Sequence, residues 1–172
     1  MTRKHQNIAA KPHRRQSSMR GFGLLEAVVG VAVISLSLLG VMAVSQLSQR
    51  IVGESVRSVQ ASFLAEEGVE ALKILRDKGW QDNIASLNAG ADYYLEFDGT
   101  SWKATATGQM IDGFFTRKFV LENVYRDADD DITESGTEDD GSRKATVSVS
   151  WQGRNGTTTK NISTYLTDIF SN

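Results

Sequence analysis

No cysteine occurs anywhere in the chain. That excludes a disulfide framework, a thiolate metal site and a cysteine nucleophile. The two histidines, His5 and His13, both stand in the first 20 residues. The rest of the chain therefore lacks the side chain that most often moves protons near neutral pH. No glycine-rich phosphate loop is present, and no paired carboxylates stand out as a cleft constellation. These gaps argue against an enzyme. Proline is nearly absent too: Pro12 is the only one. Nothing interrupts a helical pattern from about Leu24 to about Lys78.

Charge is scarce where the chain is most apolar. From Phe22 to Val44 the single charged residue is Glu26. A helix of this length spans roughly 34 Å, enough for a hydrocarbon core of about 30 Å. A carboxylate inside such a segment costs about 2.5–3.5 kcal/mol at the bilayer centre and less near the interface. Either Glu26 stays hydrated at the interface, or a specific cation offsets it.

The segment before the span is basic. Arg3, Lys4, Lys11, Arg14, Arg15 and Arg20 appear with no acidic residue among them. Subtracting those six from 19 basic residues leaves 13 against 21 acidic ones, a net charge of −8 for the remainder. Directly before a membrane span, such a run reads as the positive-inside signal that holds the N-terminus in the cytoplasm. An acidic remainder gains nothing from counterion release, so direct nucleic-acid binding is not expected. The apolar run is not followed by the small-residue cleavage site of a secretory signal, so the span is expected to be retained.

A basic leader, then Gly21-Phe22-Gly23-Leu24-Leu25-Glu26, then an apolar helix resembles the N-terminal signature of type IV prepilins and pseudopilins. The resemblance implies cleavage between Gly21 and Phe22 by a membrane prepilin peptidase, and N-methylation of Phe22. It implies that Glu26, the fifth residue after the cut, neutralises the N-terminal amine of a neighbouring subunit during assembly. Gly23 departs from the family, where Thr or Ser is usual. Leu64-Ala65-Glu66-Glu67-Gly68-Val69-Glu70-Ala71 followed by Arg76-Asp77 and Trp80, with Val147-Ser148-Val149-Ser150-Trp151 and Tyr165-Leu166-Thr167-Asp168, looks like a minor-pilin-like group of prepilin proteins.

Past the span, Ala61, Leu64, Ala65, Gly68, Leu72 and Leu75 recur at three- and four-residue intervals, and Val52, Val56, Val59 and Phe63 form a similar stripe. The helix there is amphipathic and should lay one face on a globular partner. Glu70 and Lys73 suit an i,i+3 pair. Gly68 costs about 1 kcal/mol relative to Ala in mid-helix, and a close approach from a sheet would explain it. Gly79 is the expected C-cap. Residues 81–92 read as a loop around a turn at Ile84–Leu87.

The pattern then switches to period two. Strands are expected at Tyr93–Phe97, at Ser101–Ala106 after an Asp98-Gly99 turn, at Phe114–Arg126, at Ala145–Trp151, and from Thr157 to about Asp168. Phe115, Phe119 and Leu121 share one side, and Ala145, Val147, Val149 and Trp151 alternate cleanly with polar residues. Gly153-Arg154-Asn155-Gly156 reads as a hairpin turn. Trp151 is expected in the core, while Trp80 and Trp102 fit either core or surface. The fold class is α+β: a long N-terminal helix packed on a C-terminal antiparallel sheet, as in pilins. The divisions are a leader over 1–21, an apolar membrane and assembly helix over 22–45, an amphipathic half over 46–78, and a β domain over 79–172.

Asp127 to Ser142 is an acidic loop on this reading. Asp127, Asp129, Asp131 and Glu138 follow the spacing of a calcium loop, with Ile132 at the sixth position where that turn needs Gly. A Ca²⁺ site is one reading and a solvated acidic loop is the plainer one. No other cofactor is implied. Asn155-Gly156-Thr157 and Asn161-Ile162-Ser163 match the glycosylation pattern by chance, the first as a turn.

The expected function is therefore a structural subunit, a minor pilin or pseudopilin, of a type IV pilus-like or type II secretion-like filament. Its partners would be the prepilin peptidase, other pilin subunits and an assembly platform. It would be stored in the cytoplasmic membrane as a single-pass protein and displayed on a surface filament after assembly. The rival is a single-pass, membrane-anchored extracytoplasmic binding or adhesion module, in which Glu26 is incidental.

Overall fold

The computed structural model describes residues 20–154 and 156–170. The leader through Met19, and Asn155 of the expected turn, lie outside the described residues. So do the side chains of Arg20, Gly21 and Phe22. Helix α1 runs from Arg20 to Lys78 without a break, as the missing proline allows. The chain divides into two compact units, Met1–Gln49 and Arg50–Asn172.

In the second unit, the Arg50–Lys78 portion of α1 covers one face of a six-stranded antiparallel sheet. The strands are β1 (Tyr93–Phe97), β2 (Trp102–Thr105), β3 (Phe115–Arg126), β4 (Ile132–Thr133), β5 (Thr137–Gly153) and β6 (Gly156–Thr167). Their order is β2-β1-β3-β5-β6, with β4 attached to β3. A sheet of this kind has one wet face and one covered face. The covered face carries Phe115, Phe119 and Leu121 from β3 and Ala145, Val147, Val149 and Trp151 from β5, all buried. Thr146, Ser148 and Ser150 take the other face and are partly exposed.

Only one of the two helical stripes meets the sheet. Ala61, Ala65, Leu72 and Leu75 are fully or almost fully buried, whereas Val52, Val56, Val59 and Phe63 are at least half exposed. The chosen stripe carries the small residues, and small residues let a helix backbone approach a sheet closely. Each Leu fully buried there contributes about 1.5–3 kcal/mol. The Glu70–Lys73 pair forms, at 2.8 Å.

After Lys78, Gln81–Ala85 forms a short π-helical turn that buries Ile84, where a loop was expected. Trp80 is also buried, joining the core at the helix end. Trp102 packs against the core partly buried.

The largest departure from the sequence reading lies in the acidic stretch. Residues 127–131 form one tight loop and residues 134–136 a second short turn. Ile132–Thr133 returns to pair with β3, and β5 begins already at Thr137, pairing Arg126 with Thr137 and Tyr125 with Glu138. An irregularity between Asn123 and Val124 lets β5 keep pairing through this acidic run: Asn123 faces Arg143, and Val124 faces Asp139. Extra residues on one strand are the mark of a bulge, which period-two reading does not see.

Candidate functional site

The first candidate is the apolar portion of α1 within the first unit. From Gly23 to Gln49 the residues are exposed except Gly30, which is partly so. Leu24, Leu36 and Val44 each expose about 70% of their surface. The helix that contains this segment is long and apolar enough to cross a membrane, with a mean hydropathy of 2.6 in its best window. Exposed apolar surface of this extent is costly in water.

The few polar groups in the segment are managed locally. Ser35 Oγ donates to the Val31 carbonyl and Ser37 Oγ to the Val33 carbonyl, each at 2.8 Å. These bonds satisfy both hydroxyl donors within the helix itself, which is what a hydrocarbon environment requires. A Cβ built on Gly23, Gly30 or Gly40 would meet nothing within 4 Å. These glycines leave flat places where another helix backbone could approach.

Glu26 is exposed, one helical turn from Phe22, and makes no ion pair or hydrogen bond among the described residues. The cation that would offset it is not supplied by the described residues of its own chain. Gly21 and Phe22 stand in the first turn of α1.

Of the four acidic residues of the calcium reading, Asp127 and Glu138 line one pocket together with Arg126, Asp130 and Asp139, and Asp129 and Asp131 are not among its lining residues. Asp127 Oδ1 accepts from the backbone N–H groups of Asp129 and Asp131, each at 3.0 Å. Asp127 N–H also donates to the Asp131 carbonyl, closing the loop on itself with Asp130 at φ 66°. Glu138 sits on β5 opposite Tyr125 rather than on the loop. Among the described residues no three acidic side chains gather as a metal site. Nearby, Arg126 Nε bonds Asp139 Oδ2 at 2.7 Å. The Arg126 guanidinium holds the Asp139 carboxyl below the usual carboxylate range.

Arg117 is a residue that the sequence reading passed over. It stands between Phe115 and Phe119 on the covered face of β3, and its side chain is only 4% exposed. Its Nη1 donates to the Leu64 carbonyl at 3.1 Å and to Glu67 Oε2 at 2.8 Å. Its guanidinium carbon lies 5.1 Å from the centre of the Trp102 ring, a cation–π contact. The Nε has no partner among the described residues. The signal was present: a charge at an inward position of Phe115-Thr116-Arg117-Lys118-Phe119 must find a partner or pay for its burial.

No protein-family model matches the chain, and neither a curated protein nor a solved structure matches it.

Proposed function

We propose that this chain is a prepilin-like structural subunit, a minor pilin or pseudopilin, of a type IV pilus-like or type II secretion-like filament. The observation that carries the reading is the exposed apolar segment of α1, with Glu26 as its single charge, directly after Gly21-Phe22 and a basic leader. A prepilin peptidase would cut between Gly21 and Phe22, leaving the span attached and Phe22 as the new, methylated N-terminus. The subunit would wait in the cytoplasmic membrane, where lipid covers the apolar segment. On extraction by an assembly platform, neighbouring apolar helices would replace the lipid. Glu26 would then meet the Phe22 amine of the next subunit. Pairing the two charges offsets the large cost of burying either one alone. The role is mechanical, with no catalytic residue.

The experiment is expression with a prepilin peptidase, followed by mass spectrometry of the membrane-extracted chain. The expected N-terminus is methylated Phe22. An intact Met1, or a cut beyond Val44, overturns the reading. Gly21→Val should block processing, because the added side chain crowds the backbone where the peptidase must approach.

A further inference from the structure

The open face of the sheet carries a groove near the Arg126 end of β3. Strict alternation along β3 would turn Tyr125 inward with Leu121. Leu121 and Val124 are instead both buried, at 0% and 2% exposure. The irregularity between Asn123 and Val124 breaks the alternation there and turns Tyr125 to the open face with Glu122. Bulges recur next to binding sites because they re-aim side chains in this way. β4 pairs with this end of β3 and walls the groove with Ile132 and Thr133. The floor is one cross-strand row: Glu122 on β3, Lys144 on β5 and Tyr165 on β6. The groove holds about 510 Å³, within the range of small-molecule sites.

Its lining joins aromatic surface to an accessible ion pair. Tyr165 is half exposed, and Tyr125 is partly so. Lys144 Nζ donates to Glu122 Oε2 at 2.9 Å, and the two side chains are 41% and 52% exposed. An ammonium has three donors and a carboxylate has two acceptor oxygens, so one mutual contact leaves capacity on each. An apolar ligand would strip water from this pair without replacing its hydrogen bonds, which is costly. An anion would meet Glu122 and the exposed Glu134 at the rim. A ring sugar suits both parts of the lining. Its C–H groups make an apolar face for a tyrosine ring, and its hydroxyls both donate and accept.

We propose that this groove binds a neutral oligosaccharide of hexopyranose rings with equatorial hydroxyls. Such rings present C–H surface on both faces, one for Tyr125 and one for Tyr165. Two neighbouring hydroxyls bridge the ion pair, one donating to Glu122 and the next accepting from Lys144. Hydrogen bonds to charged groups are the stronger kind. The inference concerns the second unit alone and does not rest on the filament reading.

The test uses the full ¹⁵N-labelled chain in micelles of dodecylphosphocholine, a detergent without a sugar headgroup. The probe is cellotetraose. It should shift the Glu122, Tyr125, Lys144 and Tyr165 amide signals together and saturably. Sorbitol, which has hydroxyls but no ring face, should not. Methyl β-glucoside should bind more tightly than methyl β-glucuronide, which differs by one carboxylate. Tyr165→Ser and Lys144→Met, both at solvent-reached positions, should keep the folded spectrum. Each should weaken cellotetraose binding about 5-fold or more, roughly the net worth of one hydrogen bond or ring contact. Thr159→Ala, on the same face outside the groove, should bind as the parent does. The proposal is overturned by no saturable shift, by sorbitol reproducing the shifts, or by the glucuronide binding as tightly as the glucoside. Unchanged binding by Tyr165→Ser or Lys144→Met, or an equal loss in Thr159→Ala, overturns it as well.

Discussion

Gly68 and Val147 meet where α1 crosses β5, and the contact leaves no room for a side chain on the helix. A Cβ built on Gly68 would stand 2.8 Å from Val147 Cγ1 and 3.2 Å from Arg117 Cδ. Val147 is fully buried in the sheet centre and cannot retreat. The helix therefore forgoes about 1 kcal/mol of propensity at Gly68 to sit close on the sheet.

Gly68→Val should lower stability by roughly 1–3 kcal/mol, the usual range for overpacking. Gly68→Ala should show a smaller loss, because its gain in helix propensity offsets part of the clash. Val147→Ala should recover part of the Gly68→Val defect, since the two side chains compete for one space. Chemical denaturation of the parent, Gly68→Ala, Gly68→Val, Val147→Ala and the Gly68→Val/Val147→Ala double variant measures this. A Gly68→Ala variant more stable than the parent would mean that the helix can shift away from Val147.

Glu26 tests the assembly reading. Glu26→Ala and Glu26→Gln should both leave membrane insertion, cleavage and the folded sheet unit intact, because Glu26 bonds nothing within the described chain. Both should lower incorporation into sheared filaments, Gln included, since it keeps shape and loses charge. Equal incorporation of parent and both variants would remove Glu26 from assembly. It would favour a plain membrane anchor or a tip subunit with no neighbour above it.

The β1–β2 turn makes a pH prediction. Asp98 accepts from the backbone N–H groups of Thr100 and Ser101 and pairs with Lys103 at 2.5 Å. Lys103 first, then those backbone donors, hold the Asp98 carboxyl well below the usual carboxylate range. A folded-state value below the unfolded one, about 3.9, means the stabilisation is complete above that pH. It is lost as pH falls through the folded value. Carboxyl ¹³C titration should find the Asp98 midpoint depressed. A midpoint near 3.9 would show that the turn does not hold Asp98 in this geometry.

Calcium should leave the protein unchanged. Asp127 commits one carboxylate oxygen, Oδ1, to its own loop, and Glu138 belongs to β5. Millimolar Ca²⁺ should therefore not raise the melting temperature, because only a ligand of the folded state does so. A rise of several degrees, about what 1–2 kcal/mol of binding produces, would mean that the loop opens and gathers its acids.

Much of the fold is legible in residue order. The missing proline and the two apolar periodicities specify a long helix followed by antiparallel strands. Val147, Val149 and Trp151 on one face of β5 follow from alternation alone. The fit of Gly68 against the sheet is anticipated by its cost in mid-helix. The candidate site is legible in a narrower sense. Gly21, Phe22 and Glu26 are proposed from a resemblance carried by their spacing before an apolar run, a pattern local to one helix.

Tertiary structure decided the rest, wherever residues far apart in sequence compete for one partner. Two apolar stripes of α1 look alike in sequence. Ala61, Ala65, Leu72 and Leu75 of one stripe are covered, while Val52, Val56, Val59 and Phe63 of the other are at least half exposed. Glu138 lies eleven positions from Asp127, as a calcium loop would have it, yet the irregularity after Asn123 carries it into strand pairing with Tyr125. Arg117 reads as one more strand cation until α1 lies across it. Burial then makes its hydrogen bonds obligatory, and Leu64 and Glu67 of α1 supply the acceptors.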